Sequence, residues 1–331
     1  MKLLVTGGLG FIGSNFIIQS LSNHPDYEII NIDKIGIGAN PENLKQLKNR
    51  NRYRLIKEDI SDPKLAQEAI KDVDIVVNFA AETHVDRSIS DPNPFIESNY
   101  IGTLKLLEAE RKIDRKIRHI QISTDEVYGD ITKGSFTETD NLRPSSPYAA
   151  TKAAADLLCN AYARTYGMNI IVTRCTNNFG PYQFPEKLIP KAILRAINNL
   201  KIPVYGTGEA IRDWLYVLDH CNAIELIINE GKQGEIYNIS GGYEISVIKI
   251  VKQILDLLDK TEDLITFVKD RPGHDMRYSL DSTKLRTTLR WKPEHEFDKA
   301  LAETVEWYLK NEWWWKPIIN EKVLHPTPWE S

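Results

Sequence analysis

The first thirteen residues restrict the chain to a small set of folds. The compact apolar run "KLLVT" is followed at once by the glycine-rich stretch "GGLGFIG" and then by a helical stretch. Gly7, Gly10 and Gly13 form a G-x-x-G-x-x-G spacing, and such glycines let a backbone turn tightly against a pyrophosphate at a helix N-terminus. Asp33 ends the next apolar run, about twenty residues on, where a carboxylate can bind ribose hydroxyls. The sequence therefore predicts a dinucleotide site. Asp33 favours NAD, and the adjacent Lys34 leaves NADP open.

The first half of the chain alternates strands with helices. "EIINID", "DIVVNFAA", "RHIQIST" and "NIIVTRC" have the character of buried parallel strands, and helical stretches separate them. This alternation predicts an α/β fold with a Rossmann-type doubly wound parallel sheet. From about Asn177 prolines, aromatic residues and short mixed elements follow. We expect an NAD-binding domain over 1–176 and a smaller mixed α/β substrate-binding lobe over 177–331, with an approximate boundary and later segments returning to the first lobe.

The bulk composition excludes several classes of partner. A net charge of −4 on 331 residues gives no electrostatic case for nucleic acid or for an anionic membrane surface. No apolar run approaches the length of a membrane span, and the N-terminus has no signal-peptide cleavage pattern. Three cysteines lie far apart without metal or disulfide spacing. We therefore expect a cytoplasmic protein. His84 and His274 lack partners at zinc spacing, so no metal is expected.

The segment "SPYAATKAAADLL" places Tyr148 and Lys152 four residues apart, on one face of a predicted helix. Ser146 suits the helix N-cap and Pro147 suits its first turn. One interpretation is an ordinary helix surface with a ring lying on a lysine stem. The other is a catalytic pair, in which the cation and the positive end of the helix dipole lower the pKa of the phenol so that it acts as a base.

Two adjacent carboxylates follow a predicted strand. "QISTDEVYG" places Thr124, Asp125 and Glu126 at its carboxyl end, which is where doubly wound sheets bind ligands. The alternative is an acidic loop that faces solvent, since most loop carboxylates are exposed.

Together these motifs resemble the extended branch of the short-chain dehydrogenase/reductase superfamily, whose catalytic signature is Tyr-x-x-x-Lys. Thr-Asp-Glu, together with the segments "NFAAETHVDRSI", "NNFGPYQFPEKLIP", "IRDWLYV" and "DRPGHDMRYSLD", resembles the dTDP-glucose 4,6-dehydratase family within it. The likeness extends over nearly the whole chain. Two positions depart from the family pattern: Ile37 stands where a tyrosine is usual, and Thr83 stands where serine is common.

The resemblance implies a lyase that oxidises C4 of a nucleotide-linked hexose, eliminates water across C5 and C6, and returns the hydride to C6 with tightly held NAD. It implies that Tyr148 takes the O4 proton, that Lys152 lowers the pKa of Tyr148 and binds the nicotinamide ribose, and that Thr124 hydrogen-bonds O4. It further implies that Glu126 removes the C5 proton and that protonated Asp125 gives a proton to the leaving oxygen.

The resemblance also assigns binding residues. The expected cofactor-binding residues are Gly7, Gly10, Phe11, Ile12, Gly13, Asp33, Lys34, Asp59, Ile60, Ala80, Ala81, Asn99, Tyr148, Lys152 and Asn178. The expected substrate-binding residues are Thr83, Thr124, Asn177, Lys187, Leu188, Pro203, Tyr205, Arg212, Asn238, Arg271 and His274. Arg212 and Arg271 suit a diphosphate, because a guanidinium offers paired donors; the alternative for each is a salt bridge at the surface or between lobes. Tyr205 is a candidate contact for the base.

Several alternatives remain open from the sequence. The substrate is expected to be dTDP-glucose, but a CDP- or UDP-sugar dehydratase and a sugar-nucleotide 4-epimerase share the fold, and a non-catalytic NAD sensor is a remote fourth reading. Superfamily members commonly dimerise through two helices, here those of Asn99 and Tyr148, so a homodimer is expected. Trp313–Trp315 could form a sugar platform, but packing at the chain end or an oligomer contact is favoured.

Overall fold

The protein is described by a computed structural model over residues 1–47 and 50–328. The strands are β1 Lys2–Thr6, β2 Glu28–Ile32, β3 Tyr53–Ile56, β4 Ile75–Asn78, β5 Arg118–Thr124, β6 Asn169–Cys175, β7 Asn177–Phe179, β8 Ile202–Tyr205, β9 Ile211–Tyr216, β10 Ile236–Ile239, β11 Glu244–Ser246 and β12 Ile265–Val268. The α-helices are α1 Phe11–Asn23, α2 Pro63–Ile70, α3 Val85–Ser90, α4 Asn93–Phe95, α5 Gly102–Arg111, α6 Pro147–Tyr166, α7 Leu188–Ile197, α8 Val217–Glu230, α9 Val247–Leu257, α10 Thr283–Thr288, α11 Phe297–Lys310 and α12 Glu312–Trp315.

A seven-stranded parallel sheet forms the centre of the first lobe. Its order is β10-β6-β5-β4-β1-β2-β3, and β1 pairs in parallel with β2 on one side and β4 on the other. The order in which the strands are added to the sheet reverses at β1, between β2 on one side and β4 on the other. This is the switch point at which doubly wound sheets open a crevice. The predicted fold class is confirmed.

Residues beyond 176 return to this sheet. β10 pairs with β6, and α8 packs against α1. The second lobe holds the small sheets β11-β9-β7 and β12-β8 and a separate apolar core drawn from α7, α9, α11 and α12. The predicted division at residue 176, with later segments returning to the first lobe, stays a prediction.

Capping residues set both ends of helix α6. The Ser146 side chain accepts a hydrogen bond from the backbone N–H of Ala149 at 3.1 Å, and Pro147 occupies the first turn. Gly167 ends the helix with a φ of 67°, a left-handed conformation that glycine adopts without steric cost. The predicted cap is confirmed, and it fixes the start of the helix that carries Tyr148.

Two stretches expected as single helices are interrupted, and one strand in the first half of the chain was not predicted. The stretch expected as one helix around Asn99 consists of α4, a π-helical turn at Ile96–Ile101 and α5. The stretch "FDKALAETVEWYLKNEWWW", which by its sequence is expected to form one helix, divides into α11 and α12 at Asn311. Strand β3 was missed because its side chains are only partly buried or exposed, so its sequence lacks the continuous apolar run of the central strands.

Candidate active site

Two joined clefts open beyond the carboxyl ends of the central strands. The cofactor cleft, of about 1480 Å³, is lined by the glycine loop and by residues that follow β2, β4, β5 and β6. The substrate cleft, of about 970 Å³, lies between α3, α7, β8, β9 and the loop around Arg271. The residues that line both are Thr83, Glu126, Asn177, Glu186 and Lys187. These five define the junction of the clefts, where groups from two ligands would meet.

The glycine loop packs so closely on neighbouring protein backbone that side chains at two of its positions would not fit. Gly7 has a φ of 67°, and a Cβ on it would lie 2.7 Å from the Ala80 backbone. A Cβ on Gly13 would lie 2.5 Å from the Gly7 carbonyl oxygen. Gly10 caps α1 without a side-chain hydrogen bond from the described residues. The first-turn N–H groups of α1 can therefore serve a pyrophosphate, and the loop fits NAD.

Asp33 ties the glycine loop to the end of β2. Its Oδ2 accepts from the backbone N–H of Leu9 at 2.9 Å and its Oδ1 accepts from Ile35 at 2.8 Å, and burial raises its pKa. The neighbouring Lys34 ammonium lies 3.5 Å from Asp59 and 3.9 Å from Glu82. Because two carboxylates share this cation, it offers little free charge to a 2′-phosphate, and the arrangement suits NAD.

All but one of the residues expected to bind the cofactor line its cleft. Those that do are Gly7, Gly10, Phe11, Ile12, Gly13, Asp33, Lys34, Asp59, Ile60, Ala80, Ala81, Tyr148, Lys152 and Asn178. Asn99 does not. Its amide donates to the Glu82 carbonyl at 3.0 Å and to Thr151 Oγ1 at 2.9 Å, and its Oδ1 accepts from Glu82 N–H at 2.8 Å. Asn99 therefore supports the wall of the cleft behind its lining residues, and its contact with the cofactor stays a prediction. Ile37, at the family's tyrosine position, is exposed on the cleft rim.

The Tyr148–Lys152 pair is buried at the inner end of the cofactor cleft. The ordinary-surface interpretation is therefore wrong. Burial raises the pKa of Tyr148 well above its usual value, and the carboxylates of Glu126 and Asp125 raise it further, while a hydrogen bond from Thr124 lowers it. The Lys152 ammonium donates to the Ile122 carbonyl at 2.5 Å, and burial lowers its own pKa. The expected lowering of the tyrosine pKa is outweighed here by burial and by the two acids.

Asp125 and Glu126 have different surroundings although they are adjacent. Burial raises the pKa of Asp125 well above its usual value, and Glu126 raises it further. Burial also raises the pKa of Glu126, but the cations of Arg271 and Lys187 oppose that rise. Thr124 donates to Asp125 Oδ1 at 3.0 Å, and Asp125 Oδ2 has no hydrogen-bond partner within the described residues. Of the two, Asp125 is the group that holds a proton, because Glu126 has the cations.

In the substrate cleft, the acidic residue Asp86 was missed by the sequence analysis. Arg271 donates to Asp86 Oδ1 at 2.9 Å, and the Tyr205 hydroxyl donates to Asp86 Oδ2 at 3.0 Å. Asp86 is buried on α3, in the first lobe, whereas its two partners belong to the second. This carboxylate thus fixes a guanidinium and a phenol that were both expected to bind substrate. Arg212 is buried with its guanidinium 4.3 Å from the Tyr278 ring centroid, and it donates to the Asp275 carbonyl at 2.8 Å.

Further charged residues line the junction and the inner wall of the substrate cleft. Lys187 donates to the Thr83 carbonyl at 2.8 Å, and Glu186 lies 3.3 Å from Arg87. Lys191 also lines the substrate cleft, and burial lowers its pKa to about 8. The residues that the sequence analysis missed here are His84, Asp86, Glu186, Lys191 and Tyr278. All of these except Lys191 lie within segments that carried the resemblance, which was the available signal.

One expected substrate residue does not reach either cleft. The Asn238 amide donates to the Phe136 carbonyl at 3.0 Å, and its Oδ1 accepts from Tyr128 at 2.9 Å. Asn238 is fully buried in β10, where its side chain holds the loop around Phe136 to the sheet, and its contact with substrate stays a prediction. The other expected residues of the substrate cleft lie in it, namely Thr83, Asn177, Lys187, Leu188, Pro203, Tyr205, Arg212, Arg271 and His274, while Thr124 lines the cofactor cleft.

Three further features bear on the expectations from sequence. All three cysteines are buried and free. Within residues 1–47 and 50–328, no three or more His, Cys, Asp or Glu side chains lie together as metal ligands would. A search of the same residues finds no helix with the length and apolarity of a membrane span.

A glycine loop at the switch point of a parallel sheet, with a buried Tyr-x-x-x-Lys pair beside a second cleft, defines an extended short-chain dehydrogenase/reductase. The family model described as GDP-mannose 4,6 dehydratase matches residues 4–304. A dTDP-glucose 4,6-dehydratase of Streptomyces niveus is 46% identical over 335 residues, covering 100% of this chain and 99% of the relative. The chain belongs to the dTDP-glucose 4,6-dehydratase family, as its sequence predicted.

Solved structures agree with this assignment. DesIV, the dTDP-glucose 4,6-dehydratase of Streptomyces venezuelae solved with NAD and TYD bound, is similar with a TM-score of 0.94 and 44% identity, covering 96% of this chain and 100% of that one. The UDP-glucuronic acid 4-epimerase of Bacillus cereus, solved with UDP-glucuronic acid and NAD, has a TM-score of 0.88 and 29% identity over 94% of this chain and 99% of its own. Dehydratases and epimerases thus share this architecture, and the site must distinguish them.

Proposed function

We propose that this protein converts dTDP-glucose to dTDP-4-keto-6-deoxyglucose and water, with NAD held throughout the cycle. The comparisons bear out the prediction of an NAD-dependent nucleotide-sugar dehydratase, a hydro-lyase that serves deoxysugar biosynthesis. The observation that supports the reaction most is the pair of acids next to Tyr148, namely the buried Asp125 and the partly buried Glu126. A reaction that only inverts C4 has no use for a second acid and base.

The first step is removal of hydrogen from C4. When bound, NAD supplies the acceptor for the C4 hydride and returns that hydride at C6. Tyr148 takes the O4 proton as the base, and Thr124 orients O4 through its hydroxyl. The buried Lys152 is placed to hold the nicotinamide ribose and to favour the phenolate. Burial and the nearby carboxylates raise the pKa of Tyr148, which makes its phenolate a strong base, so we expect O4 to lose its proton to the phenolate as the hydride leaves C4.

The second step is elimination, and it uses the two acids in different protonation states. The C4 ketone makes the C5 proton acidic. Glu126, ionised with support from Arg271 and Lys187, takes that proton while Asp125 donates its proton to the C6 oxygen, which leaves as water. The hydride taken from C4 then adds to C6, and a proton returns to C5. One water is lost and the sugar's overall oxidation state is unchanged.

The nucleotide end of the substrate lies in the substrate cleft. Arg212 and Arg271 converge on it from β9 and from the loop after β12, and guanidinium groups suit a diphosphate. Arg271 is fixed by Asp86, which leaves its buried Nε without a partner in the described chain. Tyr205 and Pro203 line the same cleft and are the proposed contacts for the base. Their chemistry does not separate thymine from uracil or cytosine, so preference for dTDP rests on the family.

The test is the mass of the sugar product after incubation with dTDP-glucose and no added reductant. We expect the loss of one water with the amount of NAD unchanged. An unchanged mass with conversion to the galactose isomer would establish the 4-epimerase alternative. Dehydration of UDP- or CDP-glucose in preference to dTDP-glucose would correct the substrate alone. No reaction with any of the three sugars would favour the NAD-sensing alternative.

We also propose a homodimer formed by the helical segments of Asn99 and Tyr148. Ile96 and Leu157 are large apolar residues exposed on these segments, and exposed apolar side chains of this kind suit a subunit contact. Light scattering at micromolar concentration should give twice the chain mass, and a monomer mass would refute the dimer.

The cytoplasm is the proposed location, since three free thiols suit a reducing compartment. Cell fractionation tests it.

A further inference from the structure

The tryptophan run at the chain end has a feature that the proposed reaction does not use. The indole N–H of Trp313 donates to Asn311 Oδ1 at 3.0 Å, and that of Trp315 donates to the Tyr308 carbonyl at 2.8 Å. Both partners lie within the chain end itself. The indole N–H of Trp314 instead donates to Asn43 Oδ1 at 2.6 Å, across 271 residues of sequence. Of the three indoles, that of Trp314 makes its hydrogen bond to the first lobe.

Asn43 transmits this contact to the glycine loop. Its Nδ2 donates to the Leu9 carbonyl at 2.9 Å and to Ser14 Oγ at 3.3 Å. Leu9 lies between Gly7 and Gly10, in the turn that leads into α1. Because the indole N–H can only donate, it requires the Asn43 carbonyl oxygen on its side, and the amide nitrogen is thereby turned towards Leu9.

Leu9 is held on both sides of its peptide unit. Its carbonyl accepts a second hydrogen bond, from the Asn40 N–H at 2.9 Å. Its own N–H donates to Asp33 at 2.9 Å. The centre of the loop that would contact a pyrophosphate is therefore held by Asp33, Asn40 and Asn43. Of these three, Asn43 is oriented by Trp314.

Trp314 has little freedom to move away. It is fully buried. The rings of Trp307 and Tyr182 meet it in edge-to-face geometry, with centroids 5.1 Å and 5.9 Å away. An aromatic cluster of this kind holds the indole plane, so the hydrogen bond to Asn43 acts as a rigid link between the lobes.

We propose that Trp314 is a positioning residue for the cofactor loop, acting through Asn43 on the Leu9 carbonyl. The inference rests on the NAD part of the proposed function. With the indole N–H removed, the buried Asn43 oxygen loses its donor, the amide is free to turn, and the loop samples more conformations. Binding NAD must then order the loop, and affinity falls.

The test compares Trp314→Phe with Trp315→Phe, which loses the same kind of hydrogen bond beside the same cluster. We expect Trp314→Phe to raise the dissociation constant for NAD by about tenfold and to speed amide hydrogen exchange over residues 7–14 in the cofactor-depleted protein. Trp315→Phe should leave both unchanged even where its melting temperature falls equally. Unchanged NAD affinity in Trp314→Phe, or an equal loss in Trp315→Phe, would overturn the proposal.

Asn43→Ala tests the route without disturbing the aromatic cluster. It should weaken NAD binding by a similar factor, and adding Trp314→Phe to it should weaken binding little further, since both act on one link. Fully additive effects would show that Trp314 acts by another route. NAD binding and exchange are measured without nucleotide sugar, so a wild-type protein that fails to dehydrate dTDP-glucose would refute the proposed function and leave this test valid.

Discussion

The two clefts of the site are built in different ways. The cofactor cleft is made largely of backbone and small side chains at the ends of neighbouring strands, and its central loop occupies seven consecutive residues, 7–13. The substrate cleft gathers long charged side chains from distant parts of the chain, such as Arg271 and Asp86, which are 185 residues apart. The cofactor cleft therefore depends on close approach and backbone geometry, and the substrate cleft on charge pairs between lobes.

Glu126 lies at the junction and lines both clefts, and its substitution should have the largest effect on activity. Glu126→Gln removes the base for the C5 proton, so kcat should fall by about 10²–10⁴ while NAD stays bound and some C4 oxidation persists. The readouts are product formation, solvent exchange at C5 and NADH absorbance. Glu186→Gln is the matched control, because Glu186 lines the same junction but pairs with Arg87. Equal losses of kcat in the two variants would remove Glu126 from its role.

The cofactor cleft should be sensitive to a single added carbon. Gly7→Ala places a Cβ 2.7 Å from the Ala80 backbone at a φ of 67°, so we expect the dissociation constant for NAD to rise by about 10- to 100-fold. Gly167→Ala is the control, since Gly167 has the same φ of 67° with no atom within 4 Å of the added carbon. It should lower stability without changing NAD affinity. Similar NAD affinities in the two variants would mean that close approach at Gly7 is unimportant.

The substrate cleft should be sensitive to loss of charge instead. Asp86→Asn weakens its hold on Arg271 and Tyr205, and KM for dTDP-glucose should rise by about tenfold with NAD affinity unchanged. Tyr205→Phe removes one of these two hydrogen bonds and should raise KM less. Steady-state kinetics and NAD titration check both variants. A loss of NAD affinity in Asp86→Asn would show that the two clefts are not independent.

The smallest effect concerns pH. Burial lowers the pKa of Lys191 to about 8, so below that pH the side chain is a cation in the substrate cleft and above it the charge is lost. An anionic substrate should then bind less well, and kcat/KM should fall about threefold above pH 8. In Lys191→Met this fall should be absent and kcat/KM should be lower throughout. A fall of the same size in both would assign it to another group.

The contrast between a locally specified cofactor cleft and a substrate cleft built from distant residues also explains which features could be predicted from the sequence. The glycine loop, Asp33 and the Tyr148–Lys152 pair are specified by residues close together in sequence, where turn geometry and helical spacing act directly. All of them lie in the cofactor cleft. Strands β1, β2, β4, β5 and β6 of the seven-stranded sheet were predicted for the same reason. The half-buried side chains of β3 leave no continuous apolar run, and β10 joins the sheet from beyond residue 176.

Long-range pairing could not be predicted. Nothing near Asp86 in the sequence indicates that Arg271 and Tyr205 will reach it. Asn99 and Asn238 were assigned to ligands by resemblance alone, but each uses its amide within the protein. The pKa order of Asp125 and Glu126 also required the structure, because it depends on cations from elsewhere in the chain.

The most direct test of the central claim uses dTDP-glucose with deuterium at C4. An internal redox dehydration moves that deuterium to C6 of the same sugar, and we expect the product to carry it in the C6 methyl group, detected by NMR, with no added reductant. Deuterium that remains at C4 would mean that the hydride returns where it left, as in a 4-epimerase, and would contradict the roles proposed for Asp125 and Glu126.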